Sequence, residues 1–114
     1  MRAAFCLYGP PTDYVRGYQR IEEFQKKNGF IVCDFFIHTG WIEMTEITET
    51  LEDFLEILKY MYKPLICEYD TNTEGSSKEK VKKSLLDWVY NNPTARKYDI
   101  VIMSTFDCID LVNH

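Results

Sequence analysis

Ala3-Ala4-Phe5-Cys6-Leu7-Tyr8-Gly9-Pro10-Pro11-Thr12-Asp13 opens on an apolar run too short for a helix, breaks at Gly-Pro-Pro, and meets a helix start signal with Thr12 or Asp13 as N-cap. The pattern predicts a buried strand, a tight turn and a helix. In a parallel sheet such a strand sits centrally, and an anionic ligand is held in the crevice at its carboxyl end, near the N–H groups of the following helix. Tyr8, Gly9 and Pro10 are therefore the first candidate binding residues: Gly9 lets a ligand come close, and Pro10-Pro11 stiffen the turn. Turn formation alone also accounts for Gly-Pro-Pro. The turn is neither Gly-x-x-x-x-Gly-Lys-Ser/Thr nor Gly-x-Gly-x-x-Gly, which disfavours an ATPase or nicotinamide enzyme of the usual sort.

Downstream, Tyr14, Tyr18, Ile21 and Phe24 predict a helix from about Asp13 to Lys27, stopped by Asn28-Gly29. Phe30 to His38 is an almost unbroken β-branched and aromatic run, the composition of a strand covered on both faces. Ile47, Leu51, Phe54, Leu55, Leu58 and Met61 trace one helical stripe that Pro64 stops, and Leu65 to Asp70 reads as a third strand. After a turn-forming segment from Thr71 to Gly75, Ser76 and Glu79 offer a capping box ahead of Val81, Leu85, Trp88 and Val89. Asn91-Asn92-Pro93 ends that helix; a short basic linker then leads to a fourth strand from Tyr98 to Ser104. Strand and helix alternate throughout, so a single three-layer α/β/α Rossmann-like domain is expected, with a mainly parallel sheet of about four strands. The expected wiring sets the first strand beside the second and fourth, so that Tyr8-Gly9-Pro10 and Asp107 share one crevice.

The chain has 114 residues, one domain's worth, 46% of them apolar, 27% charged and 15% aromatic. Its net charge of -5 argues against a nucleic-acid partner, and Lys78, Lys80, Lys82 and Lys83 read as the solvated face of a helix. No apolar run is long enough for a membrane span and no cleavable signal pattern stands at the start, so a cytoplasmic location is expected. Cys6, Cys33, Cys67 and Cys108 are widely spaced, one to each candidate strand region, and are expected to be buried reduced thiols.

Asp107 and Asp110 flank the end of the fourth strand. Two carboxylates there suit Mn²⁺ or Mg²⁺ bridging a diphosphate, or the capping of a following helical turn. Glu68 and Asp70, at alternate positions of the third strand, share a face and suit a ribose or a metal-bound water, or edge-strand solvation. His38 ends an apolar run before Thr39-Gly40-Trp41, where a ligand contact or a hydrogen bond to the backbone is expected.

Cys6 to Tyr14, Asp34 to Trp41, Tyr98 to Ile102 and Phe106-Asp107 stand in the order and approximate spacing of a glycosyltransferase-like family of the GT-A type, which includes proteins encoded by large DNA viruses. The chain resembles the nucleotide-binding half of that family over nearly its whole length. The resemblance implies a nucleotide-diphospho-sugar held near Tyr8, Gly9 and Pro10, with Asp107 near the metal-diphosphate, and, for a viral member, the host cytoplasm. It departs from the family at Thr12 and Thr105, where members carry arginines suited to bidentate phosphate recognition. It also implies that the acceptor site and catalytic base lie beyond the fourth strand. A truncated or non-catalytic interaction module is the competing expectation, and a homodimer through an exposed sheet edge is a further one.

Overall fold

The computed structural model describes residues 1–9, 11, 13–40, 51–70, 78–94, 96–109 and 111. Chain order runs β1 (Arg2–Gly9), α1 (Tyr14–Asn28), β2 (Val32–Gly40), α2 (Leu51–Tyr62), β3 (Ile66–Asp70), α3 (Lys78–Tyr90) and β4 (Ile100–Thr105). The four strands form one sheet in the order β3-β2-β1-β4, and every pairing is parallel. This is the expected Rossmann-like wiring, with β1 between β2 and β4.

Alternation along β1 divides the core. Ala3, Phe5 and Leu7 face one layer with Ile21 of α1 and Phe54, Leu58 and Tyr62 of α2; Ala4 and Cys6 face the other, with Val81, Leu85 and Val89 of α3. Phe5 is fully buried, stacked on Phe35 at 5.5 Å and edge-on to Phe24 at 6.2 Å. Phe54, Leu58 and Tyr62 lie one turn apart and carry the buried stripe of α2, and the Tyr62 hydroxyl donates to the Tyr14 carbonyl at 2.8 Å, tying α2 to α1. Tyr62 extends the stripe that the sequence pattern ended at Met61, because the residue beyond it, Lys63, takes the left-handed conformation (φ 47°) that stops the helix ahead of Pro64.

Helix ends differ in how well local chemistry anticipates them. Gly29 closes α1 as expected, at φ 64°, its N–H donating to the Gln25 carbonyl at 2.9 Å. Asp13 does not act as the expected N-cap: at φ 55° it is left-handed rather than extended, and its side chain makes no capping hydrogen bond. Thr12 and Ser76, the other expected N-terminal signals, and Ile47, the first residue of the expected α2 stripe, lie outside the described residues. Phe30 and Ile31 belong to the turn before β2, which starts at Val32; Ile31 is 83% exposed while its N–H donates to the Met1 carbonyl. None of the four cysteines is in a disulfide; Cys6 and Cys108 are buried as expected, whereas Cys33 and Cys67 are half-buried. Cys108 lies past β4, in a turn at φ 51°, because the strand ends at Thr105.

Candidate functional site

In the order β3-β2-β1-β4, the connection from β1 leads through α1 on one face and the connection into β4 comes from α3 on the other. The strand order reverses between β1 and β4, and open α/β sheets hold ligands at the carboxyl ends of such a pair. Here that place lies between Gly9, Pro11 and Asp13 after β1 and Phe106, Asp107 and Cys108 after β4. Tyr8 is in register with Thr105 on one side and His38 on the other, so β1 and β4 end side by side, as the expected wiring has them.

The backbone at this crevice departs from ordinary conformations on both sides. Gly9 sits at φ 90°, and a Cβ there would meet nothing within 4 Å, so conformation rather than space calls for glycine. Asp13 and Cys108, neither a glycine, are left-handed on opposite sides of the crevice. Such conformations persist only where surrounding contacts enforce them, and α1 packs against the turn that leads to Cys108. A Cβ on Gly17 would lie 1.7 Å from the Phe106 carbonyl oxygen, so only glycine lets the helix rest on the turn. One turn on, the Arg20 guanidinium donates to the Asp107 carbonyl.

Asp107 closes its own turn. Its Oδ1 accepts from the Thr105 hydroxyl at 2.9 Å and from the Ile109 N–H at 3.3 Å, the capping role that its spacing allowed. A metal ion would have to use the other oxygen. Among the described residues no group of three or more His, Cys, Asp or Glu side chains is placed to hold one. Pro10 and Asp110 lie outside the described residues. The backbone of Asp70 ends β3, two strands from β1, or about 10 Å away by strand spacing; its side chain lies outside the described residues.

On the α3 side, Thr105, Tyr8, His38 and Glu68 form one row across the sheet. The half-buried His38 ring lies 6.3 Å from Trp88 at an interplanar angle of 30°, a ring contact rather than the expected backbone hydrogen bond. Lys82 also departs from the solvated-face expectation. Its neighbours Lys80 and Lys83 are exposed, whereas Lys82 is half-buried with Nζ 5.3 Å from the Tyr8 ring centroid. A signal for this was present: Lys82 follows Val81, the first buried residue of α3, and so borders the face that lies on the sheet.

A second polar cluster, at the opposite end of the sheet, escaped sequence reading. Asp34 is buried in the middle of the apolar β2 run, its two carboxylate oxygens each 2.9 Å from one nitrogen of Arg96, and Oδ2 accepts from the Tyr98 hydroxyl at 2.6 Å. Burial, and then the bond to Asp34, push the Tyr98 hydroxyl above its ordinary range. Asn92 folds the linker that delivers Arg96. Its amide donates to the carbonyls of Val89 and Arg96, while its oxygen accepts from the N–H groups of Thr94 and Arg96. Burial pushes Cys6 up to about 12 and raises Cys33 and Cys67, so these three offer no reactive thiol. No helix of the described residues is long and apolar enough to cross a membrane.

Comparison with protein-family models, with curated proteins and with solved structures finds no match to this chain.

Proposed function

We propose that this chain binds a nucleotide-diphospho-sugar in the crevice between β1 and β4, as the nucleotide-binding half of a GT-A, glycosyltransferase-like protein. The observation that carries this reading is the meeting of the Tyr8-Gly9 turn with the Thr105-to-Asp107 turn at the reversal of strand order, with a lysine beside Tyr8. Tyr8 offers an aromatic surface to the base, and Lys82 a point charge for the diphosphate. In this reading Lys82 takes over part of the charge balance that arginines at the places of Thr12 and Thr105 supply in the family.

The free oxygen of Asp107, with Asp110 as the second carboxylate, would hold Mn²⁺ or Mg²⁺ against the two phosphates. When bound, the ion would neutralise charge on the diphosphate as a hexosyl group passes to a hydroxyl. The test is calorimetric titration of the chain with UDP and GDP, each with and without Mn²⁺. Binding at micromolar to sub-millimolar strength, tightened by Mn²⁺, is the expected result; no binding of either nucleotide overturns the reading. Unchanged affinity of Asp107→Ala in Mn²⁺ removes the metal role.

One observation favours a second reading, a non-catalytic module that keeps the fold and acts in protein interaction. Thr105 and one oxygen of Asp107 are already spent on each other. Nucleotide titrations that stay flat while the chain remains folded would favour it.

A further inference from the structure

The two edges of the sheet are built differently. β3 is five residues long and carries Glu68 and Asp70, the charges that keep sheet edges apart. β4 carries Ile100, Val101, Ile102 and Met103 without a charge, proline or bulge, and all four are only half-buried. Each packs one side on the core clusters, while α3 packs chiefly on β1 and β2. A groove of about 490 Å³ runs beside its first half, lined by Val89, Tyr90, Arg96, Lys97, Tyr98 and Val101 among others.

We propose that β4 is a self-association edge whose occupant is the β4 of a second copy, antiparallel to the first and continuing the sheet. Antiparallel pairing about a two-fold axis normal to the sheet keeps each face on its own side, so the axis must lie between the two strands, level with a residue that pairs with its own copy. Val101 and Met103 lie in register with Ala4 and Cys6 and face α3; Ile100 and Ile102 lie in register with Ala3 and Phe5 and face α1 and α2. With the axis at Ile102, Val101 meets Met103 of the second copy, Met103 meets Val101, and Ile102 meets itself. Every central pair is then apolar. The same register brings the exposed Lys97 of each copy towards Asp107 of the other, twice by symmetry. That charge match and the self-matching apolar row favour a second copy over an unrelated extended peptide.

The test is sedimentation equilibrium of the full chain from about 1 to about 100 µM. The expected result is a monomer–dimer equilibrium within that range, weakened about tenfold or more by Met103→Lys and, with the sign reversed at an exposed position, by Lys97→Glu. Circular-dichroism melts establish that each variant is folded; should Met103→Lys unfold, Lys97→Glu and the cross-link below decide. Under mild oxidation Ile102→Cys should form a covalent dimer above the wild-type background, and more of it than Val101→Cys or Met103→Cys, because only residue 102 faces its own copy. A monomer at the highest concentration overturns the proposal. So does a dimer indifferent to both charge variants, or one in which Ile102→Cys does not cross-link.

Discussion

The carboxyl and amino ends of this sheet are both polar, and they are built on opposite plans. At the amino end the organisation is in side chains: Asn92 fastens its loop with four hydrogen bonds to backbone groups, and Asp34, Arg96 and Tyr98 satisfy one another. At the carboxyl end it is in the backbone. Gly9, Asp13 and Cys108 hold left-handed conformations, Gly17 lets α1 touch the turn after β4, Lys82 lies on the Tyr8 ring, and only one oxygen of Asp107 is used by its own turn. A satisfied buried network specifies architecture, whereas enforced backbone with uncommitted polar groups is what a binding site needs. Polarity alone therefore does not mark the site.

The largest effect is expected at Gly17. Gly17→Ala puts a methyl group inside the contact radius of a main-chain oxygen that cannot swing aside, and should lower stability by about 3 kcal/mol or more, read as a fall in the urea midpoint. At the opposite end Arg96→Met should cost about 2 kcal/mol. The Asp34 carboxylate, 10% exposed, loses its cation, but the guanidinium is 43% exposed and solvent screens part of the loss. Nucleotide affinity should be unaffected by Arg96→Met, and a large loss of affinity there would reverse the assignment of the two ends.

Alkali tests the interior that both ends share. Cys6, Tyr62 and Tyr98 are raised in the folded protein, chiefly by burial. A raised group binds its proton more tightly folded than unfolded, so its contribution is whole below the unfolded pKa and is lost as pH climbs towards the folded one. For Cys6 the window runs from 9.0 up to about 12, and the tyrosines join from 10.0. The urea midpoint should hold steady to about pH 8.5 and then fall, each fully engaged group adding a slope of about 1.4 kcal/mol per pH unit. A flat profile to pH 11 would mean that these groups are more solvated than the packing implies.

The smallest stability effect should accompany the clearest binding effect. Lys82→Ala should change stability by no more than about 0.5 kcal/mol, with the loss of one cation–π contact, and weaken UDP or GDP binding about tenfold. If affinity is unchanged, Lys82 belongs to the packing of α3 and not to the site.

Legibility in the sequence followed the range of the interaction. The strands, the three described helices and the Gly29 stop come from periodicities and turn chemistry acting within a few residues; the strand order that sets β1 beside β4 is one of several that right-handed crossovers allow, and the packed sheet selects it. Asp34 could be seen as a lone carboxylate inside an apolar strand, but its partners stand 62 and 64 positions away, and no local pattern names them. Asp13 is the sharper case. Its residue type and position are those of an N-cap, yet the close approach of α1 to the turn after β4 accompanies a left-handed conformation in which that side chain does not cap.

The sequence by itself determined the alternation, the parallel sheet and the turn at Gly9, because these follow from side-chain period and backbone preference. The tertiary structure alone decided that Gly17 is a contact residue, that Lys82 lies on Tyr8, that Asp107 spends an oxygen on its own turn, and that β4 is the apolar edge. Each of these depends on which distant surfaces meet, and that is settled only when the layers pack.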